Sequence, residues 1–270
     1  VNRGVDVNIS GDVVRTKDWY VGLYANFNYN KSMITEIFNG YEEYPRPSYM
    51  LNYAIGHDAG EFYCETLVGV DPEDGKYMWA YIDPETGERG TTKDFNQATP
   101  ELQGISQYAP WAGGFGLNAA WKGLSVAADF SWNYGKGLVN NDRYFMEYDS
   151  YTSYSRSKDL LDRWEEKGDI AKFAKFGEAI QFDSHLLEDA SFIRLKNLTV
   201  AYEFPKKWIN ATGFMQGLRV YFTSRNLLTF TKYSGPDPEV STRNNVLTPG
   251  FDWSAYPRAK GATLGVSFTF

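Results

Sequence analysis

The chain has 270 residues, with 27 Lys and Arg against 34 Asp and Glu, and its formal net charge of −7 argues against a nucleic-acid surface. At 43% hydrophobic and 17% aromatic residues it is too apolar for a disordered segment. A single cysteine, Cys64, excludes an intrachain disulfide and a thiolate zinc cluster, and two histidines, His57 and His185, far apart in sequence, do not suggest a metal site or a catalytic base.

No apolar run is long enough for a transmembrane helix. The mean hydropathy of −0.47 is still compatible with a membrane barrel, because only alternate strand residues face lipid and polar loops dilute the signal. The first residue is Val1, without a signal-peptide pattern, which reads as a mature chain or a fragment.

In chain order, "GVDVNISGDVV" puts Val5, Val7, Ile9 and Val13 on one face of a strand and Asp6, Asn8, Ser10 and Asp12 on the other. After "RTKD", the stretch "WYVGLYANFNYN" alternates Trp19, Val21, Leu23, Ala25, Phe27 and Tyr29 with Tyr20, Gly22, Tyr24 and three asparagines, which predicts a hairpin. A weaker pair follows, "EFYCETLVGV" at 61–70 and "KYMWAYI" at 76–82, with "DPEDG" between and "DPETG" after. Both Asp-Pro-x-x-Gly runs are turn chemistry, and their spacing does not match a calcium loop.

The alternation returns in "GGFGLNAAW" and "LSVAADFSWNY" across a tight "KG", with Asp129 on the polar face. In "SKDLLDRWEEKGD", Leu160, Leu161 and Trp164 at helical spacing behind a capping Ser157 predict a small surface helix. "NLTVAYEF" pairs with "LRVYF", which carries Arg219 on its polar face, and the closing "ATLGVSFTF" is apolar on one face only.

A soluble sandwich would put some Lys or Glu on its outer face, whereas the polar face of the closing strand, Thr263, Gly265, Ser267 and Thr269, is small and uncharged. The expectation is an all-β, antiparallel transmembrane barrel, apolar toward lipid, with Asp129 and Arg219 facing the lumen. Short turns alternate with long polar, aromatic loops at 31–60, 83–111, 135–189 and 231–257, the asymmetry of outer-membrane barrels. About nine strands are expected, or seven without the weak pair, whereas a closed bacterial barrel has an even number. With Phe270 at the periplasmic side, the strand at 5–14 would also run inward, so an N-terminal portion, cleaved or carried as another chain, is expected to be missing.

From Asp189 onward, "DASFIRLKNLTVAYEFPKKW", "LRVYFTSRNLLTFTKYSGPDPEVS" and "YPRAKGATLGVSFTF" resemble the C-terminal end of the SusC/RagA-like TonB-dependent transporters of Bacteroidetes. Upstream, "NRGVDVNISGDVVRTKDWYVGLYANFNYNKSMITEIFNG" and "GVDPEDG" resemble the same family in the same order, and 135–188 carries little of the likeness. The resemblance implies that residues 1–270 are the C-terminal part of a Gram-negative outer-membrane barrel of about 22 strands. The plug and the N-terminal strands would belong to a remainder of the same transporter that contacts the TonB complex. It also implies a SusD-like surface lipoprotein as lid, glycan or peptide import, and no cofactor. Phe268 and Phe270 would serve as an assembly signal.

The rival expectation is a secreted β-sandwich that binds carbohydrate, whose hairpins should be of similar length. An enzyme would need a paired acid and base or an activated nucleophile, and the sequence gives no sign of catalytic, cofactor or metal residues. In the outer loops, Tyr144, Tyr148, Tyr151, Tyr154, Trp253 and Tyr256 are the candidates for contact with ligand or lid, weighed against packing the loops on one another.

Overall fold

The computed structural model describes residues 1–242 and 248–270. Seven long strands form one antiparallel sheet in chain order: β1 (Asn2–Arg15), β2 (Trp19–Ser32), β3 (Trp111–Trp121), β4 (Leu124–Tyr134), β5 (Phe192–Glu203), β6 (Gly217–Thr231) and β7 (Gly261–Thr269). With every neighbour antiparallel, β1 and β7 run in the same direction.

Register carries the division of faces across the whole sheet. Ile9, Ala25, Phe115, Phe130, Leu195 and Leu228 stand side by side in one row, and Ser10, Tyr24, Gly116, Asp129, Asn197 and Arg225 form the next, one residue along in the first four strands and across a bulge in β5 and β6. A slip by one position would turn each strand's apolar set to the wrong side, so this consistency fixes the pairing. The register is interrupted by a bulge in β1, by one at Lys196 of β5 and by one at Asn226 and Leu227 of β6. Val13 drops out of the pairing and Val14 takes the apolar position opposite Val21.

Aromatic rings border the apolar face at both ends. Near the short turns, Trp19 stacks on Trp121 at 5.3 Å and Tyr202 meets Phe204 at 5.0 Å. At the other end, Trp111 lies 4.1 Å from Tyr29 and 5.3 Å from Phe27. Trp19 and Tyr29 are ten positions apart on β2, about 33 Å along a strand, or about 25 Å in height at a barrel-like tilt of about 40°.

The short connections 16–18, 122–123 and 204–216 lie at one end of the sheet, the last containing a helix at Lys206–Asn210, and the insertions 33–110, 135–191 and 232–260 lie at the other. The insertions pack into one head. Met50, Leu51, Phe62 and Cys64 of the first, Val139 and Leu186 of the second, and Phe251 of the third share a buried cluster. Gly137–Asn140 pairs with both Leu187–Asp189 and Phe251–Asp252, which joins the second insertion to the third by backbone bonds.

Two expectations are corrected here. Nine wall strands become seven, because the weak pair belongs to the head. Glu61–Glu65 pairs with Leu51–Ala54 and Pro100–Ser106, and Leu67–Val70 pairs with Tyr77–Ile82, which in turn pairs with Arg89–Thr92. Their alternation reflects a buried core, since Phe62, Cys64, Tyr77 and Trp79 are buried against other loop segments. Both Asp-Pro-x-x-Gly runs do form the turns of these hairpins, with Gly75 and Gly87 at φ of 70° and 73°.

The second correction concerns the helix behind Ser157. Only a 3-10 turn forms at Lys158–Leu161, with Ser157 Oγ accepting from Asp159 N at 3.2 Å, and Leu161 is 88% exposed. Helical spacing without an apolar neighbour to bury against does not sustain a helix. The α-helices are α1 (Asn141–Glu147) and α2 (Lys206–Asn210).

Candidate functional site

Where the head meets the loop end of the sheet's polar face, a cavity of about 930 Å³ opens. Asn28, Asn30 and Asn133 line it from the sheet, and His57, Asp58, Glu61 and Lys136 from the insertions. The sequence reasoning missed it. The alternating asparagines of "NFNYN" were the available signal, because they extend an uncharged, hydrogen-bonding surface up to the head.

Midway down the polar face, Asp129 accepts from the Tyr24 hydroxyl and, at 3.4 Å, from Asn197 Nδ2. Tyr24 can lie across β3 because position 116 is glycine. A Cβ there would fall 2.5 Å from the ring. Arg219 shares this face but stands beside Glu203 and Ser267 near the short turns, so the two lumen candidates are not brought together.

Tyr144, Tyr148, Tyr151 and Tyr154 do come together, with Phe145 and Phe182. Tyr148 and Tyr151 meet edge-on at 5.1 Å, and Tyr144 lies 4.6 Å from Phe182. Burial and a hydrogen bond with Tyr151 push the Tyr144 phenol up to about 12, so it stays protonated. Trp253 packs on Phe251 at 6.2 Å, in the core cluster that Tyr144 also flanks, and Tyr256 is 97% exposed. Phe268 and Phe270 stand exposed at the turn end, 5.3 Å apart.

Charged groups pin the head to itself and to the sheet. His185 lies between Asp183, 2.6 Å away, and Glu147, 3.6 Å away, while the Asp183 carboxylate also accepts from Trp79 Nε1 at 2.6 Å. Burial alone would lower His185, but its bonds to Asp183 and Glu147 outweigh burial and hold it above the ordinary histidine value. Arg143 bonds Glu147 at 2.7 Å and the His185 carbonyl at 2.6 Å. This histidine is a cross-brace between loops.

A second cluster ties the third insertion to β5. Buried Arg194 pairs with both carboxylate oxygens of Asp237, whose side chain also accepts from Arg258 N and Glu239 N, each at 2.9 Å. Lys196 Nζ reaches Glu239 at 2.7 Å. The "GPDPEV" run is thereby a clasp on the wall. Among the described residues, no three His, Cys, Asp or Glu side chains are grouped to hold a metal ion.

Searched against family models, the chain matches none. It is 28% identical over 181 residues to a TonB-dependent receptor of Formosa agariphila, covering 65% of this chain and 17% of the receptor. It is 26% identical over 289 residues to the TonB-dependent receptor SusC of Bacteroides thetaiotaomicron, covering 100% of this chain and 26% of SusC. Superposed on the structure of the RagAB peptide transporter, it gives a TM-score of 0.87 at 38% identity, covering 100% of this chain and 29% of that one. The chain is SusC/RagA-like.

The SusC/RagA-like chain spans less than a third of the length of these relatives. Its likeness to RagAB covers the seven-stranded sheet and the head together, including 135–188, where the sequence resemblance is faint. That region is head, where loop packing replaces strand alternation as the constraint on sequence.

Proposed function

We propose that residues 1–270 are the C-terminal strands and extracellular head of a TonB-dependent outer-membrane importer of oligopeptides or glycans, working with a SusD-like surface lipoprotein. The observation that carries this reading is the sheet itself. One continuous apolar face is bounded by aromatic rows about 25 Å apart, and every long insertion sits at one end. Among the described residues β1 and β7 have one strand neighbour each, and unpaired edges facing lipid cost several kcal/mol per backbone group, which supports further strands completing a larger barrel of about 22.

In this reading the polar face with Asp129 and Arg219 lines the lumen. The tyrosine cluster, Trp253 and Tyr256 belong to the outer surface that ligand or lid would touch, and Phe268 with Phe270 is recognised during assembly. The relatives are receptors and transporters, which supports carriage rather than catalysis. The 38% identity to RagAB makes oligopeptides the first substrate to test. Cells lacking the gene for this receptor should lose energised uptake of labelled oligopeptides, and a protonophore should abolish uptake in cells that have it. Uptake unchanged by the deletion for both peptides and glycans would contradict the reading.

A further inference from the structure

Two lysines, Lys31 and Lys136, line the 930 Å³ cavity, and Lys136 is the one that the head holds in place. Its backbone is fixed from two sides, by a bridge to Ser106 and by Ala190 N donating to its carbonyl at 2.8 Å. Its ammonium donates to the Pro238 carbonyl at 3.3 Å and has no carboxylate within ion-pair distance among the described residues. Two of its three N–H donors are therefore unspent. The acidic groups behind it are engaged elsewhere: Asp237 with Arg194, Glu239 with Lys196, and Asp252 with the Tyr233 hydroxyl at 2.7 Å.

The cavity's own carboxylates are likewise occupied. Asp58 accepts from Gly60 N at 2.7 Å and Ser106 Oγ at 2.8 Å, and Glu61 holds His57 at 3.2 Å and Gly104 N at 3.1 Å. The ammonium is partly desolvated, and although Asp237, Glu239 and Asp252 attract it from a distance it pairs with none of them, so an incoming carboxylate would give it a direct charge-assisted bond. In the same wall, Asn133 Oδ1 is buried without a hydrogen-bond partner among the described residues, an acceptor awaiting an N–H or O–H.

Resting on the importer reading above, we propose that this cavity is a receptor for carboxylate-bearing oligomers, with Lys136 as the carboxylate's partner and Asn133 accepting from a neighbouring N–H or O–H. The carboxylate can come from the C-terminus of a peptide or from a sugar acid. Both present a donor beside the anion.

The test uses the whole receptor carrying this segment, purified in detergent, with four probes: a labelled nonapeptide with a free C-terminal carboxylate, its C-terminal amide, a tetragalacturonate and a neutral tetrasaccharide. The wild type should bind one of the two acids about tenfold more tightly than its neutral counterpart. Lys136→Gln should erase that preference and leave the neutral counterpart's affinity unchanged, and Lys136→Arg should restore most of it. Which acid shows the preference identifies its source. Equal affinity for acid and neutral forms in the wild type, or a preference that survives in Lys136→Gln, overturns the proposal while leaving an importer that binds neutral oligomers intact. A wild-type receptor that binds none of the four probes overturns both readings.

Discussion

An arginine at Leu117 is expected to destabilise the membrane-embedded receptor by about 2–4 kcal/mol, while Asn118→Arg, one residue along, stays within about 1 kcal/mol. Leu117 lies on the apolar face between Leu23 and Ala128, and its strand's bordering rings are Trp121 on one side and Trp111 on the other, which places it near mid-height. Asn118 faces the polar side between Gly22 and Ala127, where a long cation can reach water. The check is a urea titration of folding into vesicles, comparing both variants with the wild type. Equal costs at 117 and 118 would remove the assignment of faces. Val126, two residues from the turn at Lys122 and Gly123, should tolerate charge better than Leu117 because it lies nearer the interface.

Arg194→Ala should be the costlier change, at about 3–5 kcal/mol, because it strands the Asp237 carboxylate in a buried site. Arg194 and Asp237 are each 2% exposed. Burial alone would raise Asp237, but its bonds from Arg194, Arg258 N and Glu239 N hold it below the usual carboxylate range. Segment 232–242 should then be cleaved by trypsin at Lys232 faster than in the wild type. Arg194→Ala combined with Asp237→Asn should recover part of the loss, since the amide is neutral and its oxygen still accepts from one of the two backbone N–H groups, Arg258 N or Glu239 N, which bond different oxygens of the carboxylate. A cost below about 1 kcal/mol with unchanged protection would show that the clasp does not hold this insertion.

Strand alternation made the wall readable from the sequence. In "WYVGLYANFNYN" and "LSVAADFSWNY" every second residue obeys one demand, apolar outward, and that demand repeats across seven strands. The head obeys no single period. Phe62 and Trp79 alternate in their strands as wall residues do, yet they are buried against residues more than a hundred positions away, such as Leu186 and Asp183. Nothing local distinguishes that burial from lipid exposure, so two head segments read as wall strands. The same limit hid the cavity. Lys136 and Asn133 become neighbours of His57 only once the first insertion folds back over the sheet. The tyrosines from 144 to 154 were visible as a cluster because α1 and the turn after it keep them close in sequence. Trp253, named with them as an aromatic of the outer loops, approaches them through Phe251, on whose cluster Tyr144 packs, a contact between insertions that no local spacing signals.

Single cysteines placed in turn at 117, 118, 119 and 120 of β3, each carrying an environment-sensitive fluorophore, report which side of the wall meets lipid in the receptor reconstituted with nitroxide-labelled phospholipid. The native Cys64 is buried in the head, 3% exposed, and does not compete for the label. Strong quenching at 117 and 119 with little at 118 and 120 is the expected period-two pattern of a barrel wall, with its polar face turned to the lumen. Uniform quenching at all four positions, or none at any of them, would contradict the assignment of this sheet as a wall between lipid and lumen.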